Sequence, residues 1–305
     1  MRGHSESKLE RFSYSPIVQR PMLEWPDGNA IAVYVAPNIE VYELLPPPSP
    51  HRDPWPRSPH PDLLGYGTRD FGNRVGFWRL LEIMDRHEIR CTVSLNLALC
   101  DHFPDIFAEC EARRWDYMGH GVYNTRYLYG LPLDVEEQAI ADCVETFRRH
   151  TGRQLPGWLS PALSFSPNTA DLVAAAGMSY YCDLFHDDQP FPVRTATGKL
   201  TSLPYSMDVN DAVLYRTGHE ADEFLQIVKD QFDVLYQEGL SGKGGRVLCI
   251  AVHPYISGQP HRADYVDRAL SYVLSHEHVW LATGSEIIEW YRQQGTECGG
   301  EKGKS

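Results

Sequence analysis

Apolar positions fall along this chain in two alternating rhythms. Nearly unbroken β-branched runs, AIAVYVAPNIE (30–40) and RVLCIAVHP (246–254), read as strands buried on both faces. Shorter runs of the same kind are RCTVSLNL (90–97), DYMGHG (116–121), LPGWLSP (155–161), SYYCDLF (179–185), LTSLPYS (200–206) and VWLAT (279–283). They predict seven or eight strands. Between them apolar residues recur at i, i+3, i+4 and i+7, the spacing of amphipathic helices. This predicts helices over RVGFWRLLEIMDRHEI (74–89), FPDIFAECEARRW (103–115), LDVEEQAIADCVETFRRHTG (133–152), SPNTADLVAAAGM (166–178), EADEFLQIVKDQFDVLYQEG (220–239), ADYVDRALSYVLSH (263–276) and GSEIIEWYRQQ (284–294). Asp134 is the expected N-cap of the third of these and Gly152 its stop.

Strand and helix in alternation predict a parallel α/β protein, either a barrel or an open doubly wound sheet. No strand-to-helix turn carries a G-x-G-x-x-G or Walker pattern, which removes the nucleotide-binding open sheets and favours a barrel. A barrel places its active site at the C-terminal ends of its strands. Two stretches break the rhythm. Residues 186–218 read as loop-rich, and LLPPPSPHRDPWPRSPHPDLLGYG holds too many prolines for helix or central strand. Its part 45–65, with Trp55 and the adjacent Tyr66, is either a lid or subunit contact or an ordinary surface loop.

Composition changes this picture little: at 42% hydrophobic and 23% charged, the 305 residues read as an ordinary globular chain. The expected layout is an N-terminal extension (1–24), one barrel domain (25–292) and a disordered glycine-rich tail (293–305). Charge is more informative. A net −13 opposes attraction to nucleic-acid phosphate or anionic lipid, so neither partner is expected. Seven cysteines, an odd number with no C-x-x-C pair, indicate neither a zinc knuckle nor a disulfide framework. The N-terminus lacks the apolar core of a secretion signal, and no segment approaches the ~18 apolar residues that span a bilayer. A cytoplasmic location is the expectation.

Polar residues cluster where the barrel needs them. Asn38 and Glu40 close the first predicted strand, His120 the third, Trp158, Ser160 and Pro161 the fourth, Asp183 the fifth, and His253 with Pro254 the penultimate. A polar group left unpaired at a buried strand end costs about 1–3 kcal/mol, so each needs a partner or a purpose. Structural roles compete at each position. Glu40 is open to pairing with Arg69 or Arg74, His253 to a core hydrogen bond, Asn38 to fastening a loop, and Asp183 to capping a turn. His120 is the strongest candidate, because glycines on both sides permit close approach of backbone and ligand.

The ordered set PNIE, GHG, GWLSP, YYCDLFHDDQPF and VHP resembles the polysaccharide deacetylase superfamily, carbohydrate esterase family 4. YGTRDFGNRVGFWRLLEIMDRH is similar to its branch of allantoinases and cyclic imide hydrolases, and the likeness spans about residues 25–292. The resemblance implies a distorted (β/α)7 barrel that hydrolyses C–N bonds of cyclic amides, imides or ureides, or of acetylated sugars. It also implies a homodimer or homotetramer acting on a small-molecule substrate.

Metal-using relatives bind a divalent ion through a first-strand aspartate and a His-x-x-x-His pair. Here Glu40 is the only acid at that strand end, and the pair becomes His120 and Asn124. A carboxamide is a poor zinc ligand. Either Glu40, His120 and a third group such as His253 hold an ion, zinc being one candidate, or the chain works without one. Asn124 is then expected to offer donor and acceptor to the edge of a ring substrate. The resemblance thus assigns catalysis to Glu40, His120 and His253, and substrate contacts to Asn38, Asn124, Trp158, Ser160, Pro161 and Asp183. The rival functions are a metal-dependent polysaccharide or chito-oligosaccharide deacetylase and a catalytically inactive barrel that binds a small molecule or partner.

Overall fold

A computed structural model describes residues 11–46, 61 and 63–294. Its nine strands are β1 Ile31–Ile39, β2 Thr92–Leu95, β3 Asp116–Gly119, β4 Gly157–Trp158, β5 Tyr180–Tyr181, β6 Phe191–Val193, β7 Leu200–Ser202, β8 Arg246–Val252 and β9 Val279–Leu281. They form one curled sheet in the order β6-β7-β5-β4-β3-β2-β1-β8, with β9 on β1. Every pairing is parallel except β6 with β7. The sheet closes towards a barrel through a single parallel bridge, Asn210 to Ala251, where a continuous ladder would be needed to seal the seam. This is the expected distorted barrel. The ninth strand arises because Phe191–Val193, inside the stretch read as loop, folds back on β7 as a short hairpin.

The helices are α1 Leu63–Phe71, α2 Phe77–Arg86, α3 Ala98–His102, α4 Pro104–Ala112, α5 Leu133–Thr151, α6 Thr169–Ala175, α7 Asp211–Arg216, α8 Ala221–Leu240, α9 Pro254–Ser257, α10 Pro260–Leu274 and α11 Gly284–Gln293. Four differ from expectation. Helix begins at Leu63 rather than 74, inside the stretch whose prolines argued against helix but past its last proline, Pro61, and it runs through a π-helical turn, Gly72–Gly76, into α2. The short α3, α7 and α9 offer too few turns for a periodic signal. Asp134 does not cap α5: Pro132 holds that place, and Asp134 lies within the first turn, where a carboxylate favours the helix dipole. Gly152 ends α5 as expected, in the left-handed region at φ 70°.

Alternation along each strand sorts the core into two layers. Ile31, Val33 and Val35 of β1 pack outward with Leu248, Ile250 and Val252 of β8, against the helices. Ala32, Tyr34 and Ala36 pack inward with Val247, Cys249 and Ala251, together with Met118, Tyr180 and Tyr205. Large inward side chains fill the lumen, so the barrel is packed rather than hollow. The inward phase also sets the site. Continued past the strand ends, it carries Asn38 and Glu40 from β1, His120 from β3 and His253 from β8 to the same mouth.

The ends of the expected layout fare differently. Residues 11–24 lie against the barrel: Arg11 pairs with Asp171 at 2.7 Å and Arg20 with Asp187 at 2.6 Å, while Leu23 is buried. Most of 45–65, Trp55 included, and the tail from 295 lie outside the described residues. Among the described residues no helix is long and apolar enough to cross a membrane.

Candidate active site

Glu40 lies just beyond β1 and is buried. Its Oε1 stands 3.6 Å from Nε2 of His120 and 3.6 Å from Nε2 of His253. Its Oε2 accepts the Tyr42 hydroxyl at 2.8 Å, and its carbonyl accepts Nδ2 of Asn73 at 3.0 Å. The predicted catalytic trio therefore converges within the reach of one small molecule. The competing ion pair does not form: Arg74 pairs with Asp70, and Arg69 lies over the ring of Tyr42, 4.6 Å from its centroid.

Both imidazoles are fixed from behind. Nδ1 of His120 lies 2.9 Å from the Leu159 carbonyl, and Nδ1 of His253 lies 2.6 Å from Oδ1 of Asp211. A carbonyl or carboxylate oxygen can only accept, so each Nδ1 carries a proton and each Nε2 faces Glu40. Asp211 also receives the backbone N–H of His253 at 2.7 Å and the Ser257 hydroxyl at 2.6 Å. Three hydrogen bonds to one buried carboxylate leave it few alternatives. Asn96, just past β2, ties the strand ends together: its Oδ1 accepts the Val41 N–H at 2.9 Å, and its Nδ2 donates to the His120 carbonyl.

The electrostatics follow from these contacts. Burial alone pushes the Glu40 carboxyl up, but hydrogen bonding to His120, the charge of both imidazoles and the Tyr42 hydroxyl outweigh it, holding Glu40 below the usual carboxylate range. Burial likewise pushes His253 down, and the charges of Asp211 and Glu40 more than reverse it, so His253 titrates above an ordinary histidine. Tyr42 is raised, first by burial and then by Glu40, which keeps it a donor at neutral pH.

The six expected substrate residues all reach this end of the barrel, yet their polar atoms are already engaged. Asn38 donates to the Tyr205 hydroxyl at 3.0 Å and to the Ala36 carbonyl at 3.2 Å. Trp158 donates to Ser160 Oγ at 3.0 Å, which donates in turn to Asp183 Oδ2 at 2.7 Å, while Oδ1 accepts the Ser160 N–H at 2.8 Å. Trp158 and Tyr181 belong to the outer layer and Leu159 and Cys182 to the inner one, so this trio braces the wall behind His120. Burial pushes the Asp183 carboxyl up to about 6 despite its hydrogen bonds from Ser160. The Pro161 ring lies against Gly121, at φ +73°, where an added Cβ would come within 2.8 Å of its Cγ.

Asn124 departs furthest from expectation. Its Oδ1 accepts the Ala162 N–H at 3.1 Å and its Nδ2 donates to the Tyr42 hydroxyl at 2.5 Å, so the amide is not offered whole to a ligand. The same contacts test the family's metal set. The Asn124 carbonyl oxygen is engaged by backbone and a carboxamide is a poor ion ligand, and among the described residues no three His, Cys, Asp or Glu side chains group as an ion cage. The family's ligand pattern does not fit this chain.

Four residues at the site escaped the sequence reading: Asp211, Tyr42, Asn96 and Asn73. Only Asp211 left a signal, since NDA opens α7 with Asn210 as a capping side chain.

No family model matches the chain. It is 25% identical over 256 residues to a Schizosaccharomyces pombe protein with a provisional polysaccharide deacetylase name, covering 77% of this chain and 78% of the relative. Its fold matches a Pseudomonas aeruginosa PAO1 protein, provisionally named a polysaccharide deacetylase, with TM-score 0.83 at 24% identity, over 93% of this chain and 99% of that one. It matches the structure of Puue allantoinase with TM-score 0.81 at 23% identity, over 93% and 99% of the two chains. The chain thus shares the curled-barrel fold of solved proteins named polysaccharide deacetylase and allantoinase, and its sequence is similar to that of a polysaccharide deacetylase-named relative.

Proposed function

We propose that this protein is a hydrolase of C–N bonds other than peptide bonds, opening a small cyclic amide, imide or ureide. The observation that carries the reading is Glu40 Oε1 placed 3.6 Å from two Nε2 atoms whose rings are both fixed through Nδ1. Glu40, held as a carboxylate, takes a proton from a water as that water adds to the ring carbonyl. His120 steadies the developing oxyanion through Nε2 when protonated. His253, raised towards its protonated form by Asp211, gives its Nε2 proton to the leaving nitrogen. The C–N bond breaks, a carboxylic acid and a free nitrogen result, and the proton on Glu40 returns to His253 to reset the site.

Three rigid protein groups perform this sequence, and no step is routed through an ion. A cyclic imide or ureide suits such a site because its carbonyl is more activated than that of a plain acetamide. The neighbour named an allantoinase favours the same class, whereas the names of the other two favour an acetylated sugar. Against the latter stands Asn124, whose amide is committed where a metal-using deacetylase needs a second histidine. The partner is a small molecule, and the assembly a homodimer or homotetramer.

The test is a substrate scan over hydantoins, succinimides, allantoin and acetylated sugars, with metal content measured on protein purified without chelators. Turnover of a cyclic substrate is expected. Turnover of acetylated sugars alone, with one equivalent of bound zinc, supports the deacetylase instead, and inertness across the panel supports the inactive barrel.

A further inference from the structure

Beside the catalytic trio lies a water-sized cavity whose wall includes Glu40, Tyr42, Tyr66, Asn73 and Arg69. Arg69 is half-buried on α1, and its guanidinium is wedged between aromatic faces, 4.6 Å from the Tyr42 centroid and 5.8 Å from that of Tyr255. One NH1 hydrogen bond reaches the Gly65 carbonyl at 3.2 Å, within its own helix. Its Nε is buried without a hydrogen-bond partner among the described residues. The neighbouring carboxylate, Asp70, is taken by Arg74.

This is an unusual way to keep a cation. An exposed arginine needs no partner, and a buried one is normally paired with a carboxylate, because an unpaired desolvated charge is strongly unfavourable. The two tyrosine faces attract the guanidinium, but a ring face supplies no acceptor for its Nε–H as a carboxylate would. Glu40 does not fill the gap, since it faces the histidines and no ion pair joins it to Arg69 among the described residues. The unfilled Nε–H edge and the catalytic carboxylate border the same small space, and that space admits a group about the size of one oxygen.

We propose that Arg69 determines substrate specificity by receiving an acceptor oxygen of the substrate, carboxylate or second carbonyl, beside the C–N bond that is cut. The favoured class is then a small amide, imide or ureide with such an oxygen within one or two bonds of the reacting centre, rather than a simple lactam or an acetylated sugar. Planarity matters: a guanidinium edge presents parallel donors that match a carboxylate fork, which a lysine ammonium does not. For turnover this rests on the hydrolase reading above, but for binding it stands alone.

The experiment titrates two ligands that are not cleaved rings into the full-length protein by calorimetry: succinamate, with one carboxylate, and succinamide, its neutral analogue. The wild type is expected to prefer succinamate. Arg69→Met is expected to weaken succinamate about ten-fold or more and succinamide less than about two-fold. Arg69→Lys, which keeps the charge and loses the fork, is expected to show most of the same loss, and it replaces the methionine variant should that one melt early. Equal succinamate affinity in wild type and both folded variants overturns the assignment, as does failure of the wild type to bind succinamate. Arg69-dependent binding in a protein that turns over no C–N substrate overturns the hydrolase reading and leaves the role of Arg69 intact.

Discussion

Nε2 of His253 stands 3.6 Å from Oε1 of Glu40, while Nδ1 of the same ring is held 2.6 Å from Oδ1 of Asp211. The histidine is thus a bridge between two carboxylates with different tasks. Asp211 is hydrogen-bonded on both oxygens, whereas among the described residues Oε1 of Glu40 faces the two imidazoles and is free to take a proton.

Glu40→Gln tests that division directly. The amide is close in shape and keeps a partner for the Tyr42 hydroxyl, but it has no basic oxygen for water. Hydrolytic activity is expected to fall by roughly 10²–10⁴-fold in kcat, with the thermal midpoint little changed. A variant within a few-fold of wild type, measured by steady-state turnover, moves the base elsewhere.

The pH dependence follows from the two opposite shifts. Glu40 titrates below the usual carboxylate range, so the acid limb of kcat/KM should lie below that of an ordinary glutamate. His253 titrates above an ordinary histidine, so the alkaline limb should lie above about 6.5. Asp211→Asn removes the charge that raises His253 and should draw the alkaline limb downward while the acid limb stays in place. Stability carries the same signature with a definite sign. The gain from the Asp211–His253 pair is full below the unfolded histidine pKa and is lost as pH rises through the folded one. Denaturant midpoints of wild type and Asp211→Asn should therefore converge as pH increases past neutrality.

Asn124 links the backbone of Ala162 to the hydroxyl of Tyr42, and through it to Glu40. Asn124→Ala leaves a backbone N–H without its partner, which should lower stability by about 1–3 kcal/mol. It should also release Tyr42 and so raise the Glu40 pKa, moving the acid limb upward. Because this amide is not an ion ligand, dialysis against a chelator should leave wild-type turnover within about two-fold of its starting rate. Loss of activity on chelation, restored by zinc alone, contradicts the geometry.

How much of this was legible in the sequence depends on distance along the chain. Glu40, His120 and His253 could be picked out because each follows an apolar strand, and a polar side chain there breaks a pattern. Their partners break none. Tyr42 and Asn73 act through contacts made in three dimensions, and Asp211 lies in a stretch whose three-residue strands and six-residue helix are too short to impose a period. Trp158, Ser160 and Asp183 were correctly placed at strand ends, but one step of strand phase sets them in the outer layer, bracing one another. Asn124 stands out in the sequence by its departure from a histidine pair, while the use of its amide as a tether depends on contacts that only the fold creates.

Gly76 shows how the packing of a remote helix reaches the chemistry. It closes the π-helical turn before α2 and crosses α9 so tightly that an added Cβ would lie 1.9 Å from the Pro254 carbonyl oxygen. That oxygen belongs to the residue after His253, in a segment whose first turn is held by Asp211. Backbone cannot yield as a side-chain tip can, so Gly76→Ala must push the two segments apart. The expected loss is about 1–3 kcal/mol of stability from overpacking. A displacement near 1 Å at His253 should also lower kcat by roughly 10²-fold in the protein that remains folded. Gly67→Ala, at a glycine with no atom of the described residues near its Cβ position, is the matched control and should leave turnover unchanged. Equal activity of both variants, measured on material of confirmed fold, means that the crossing does not position His253.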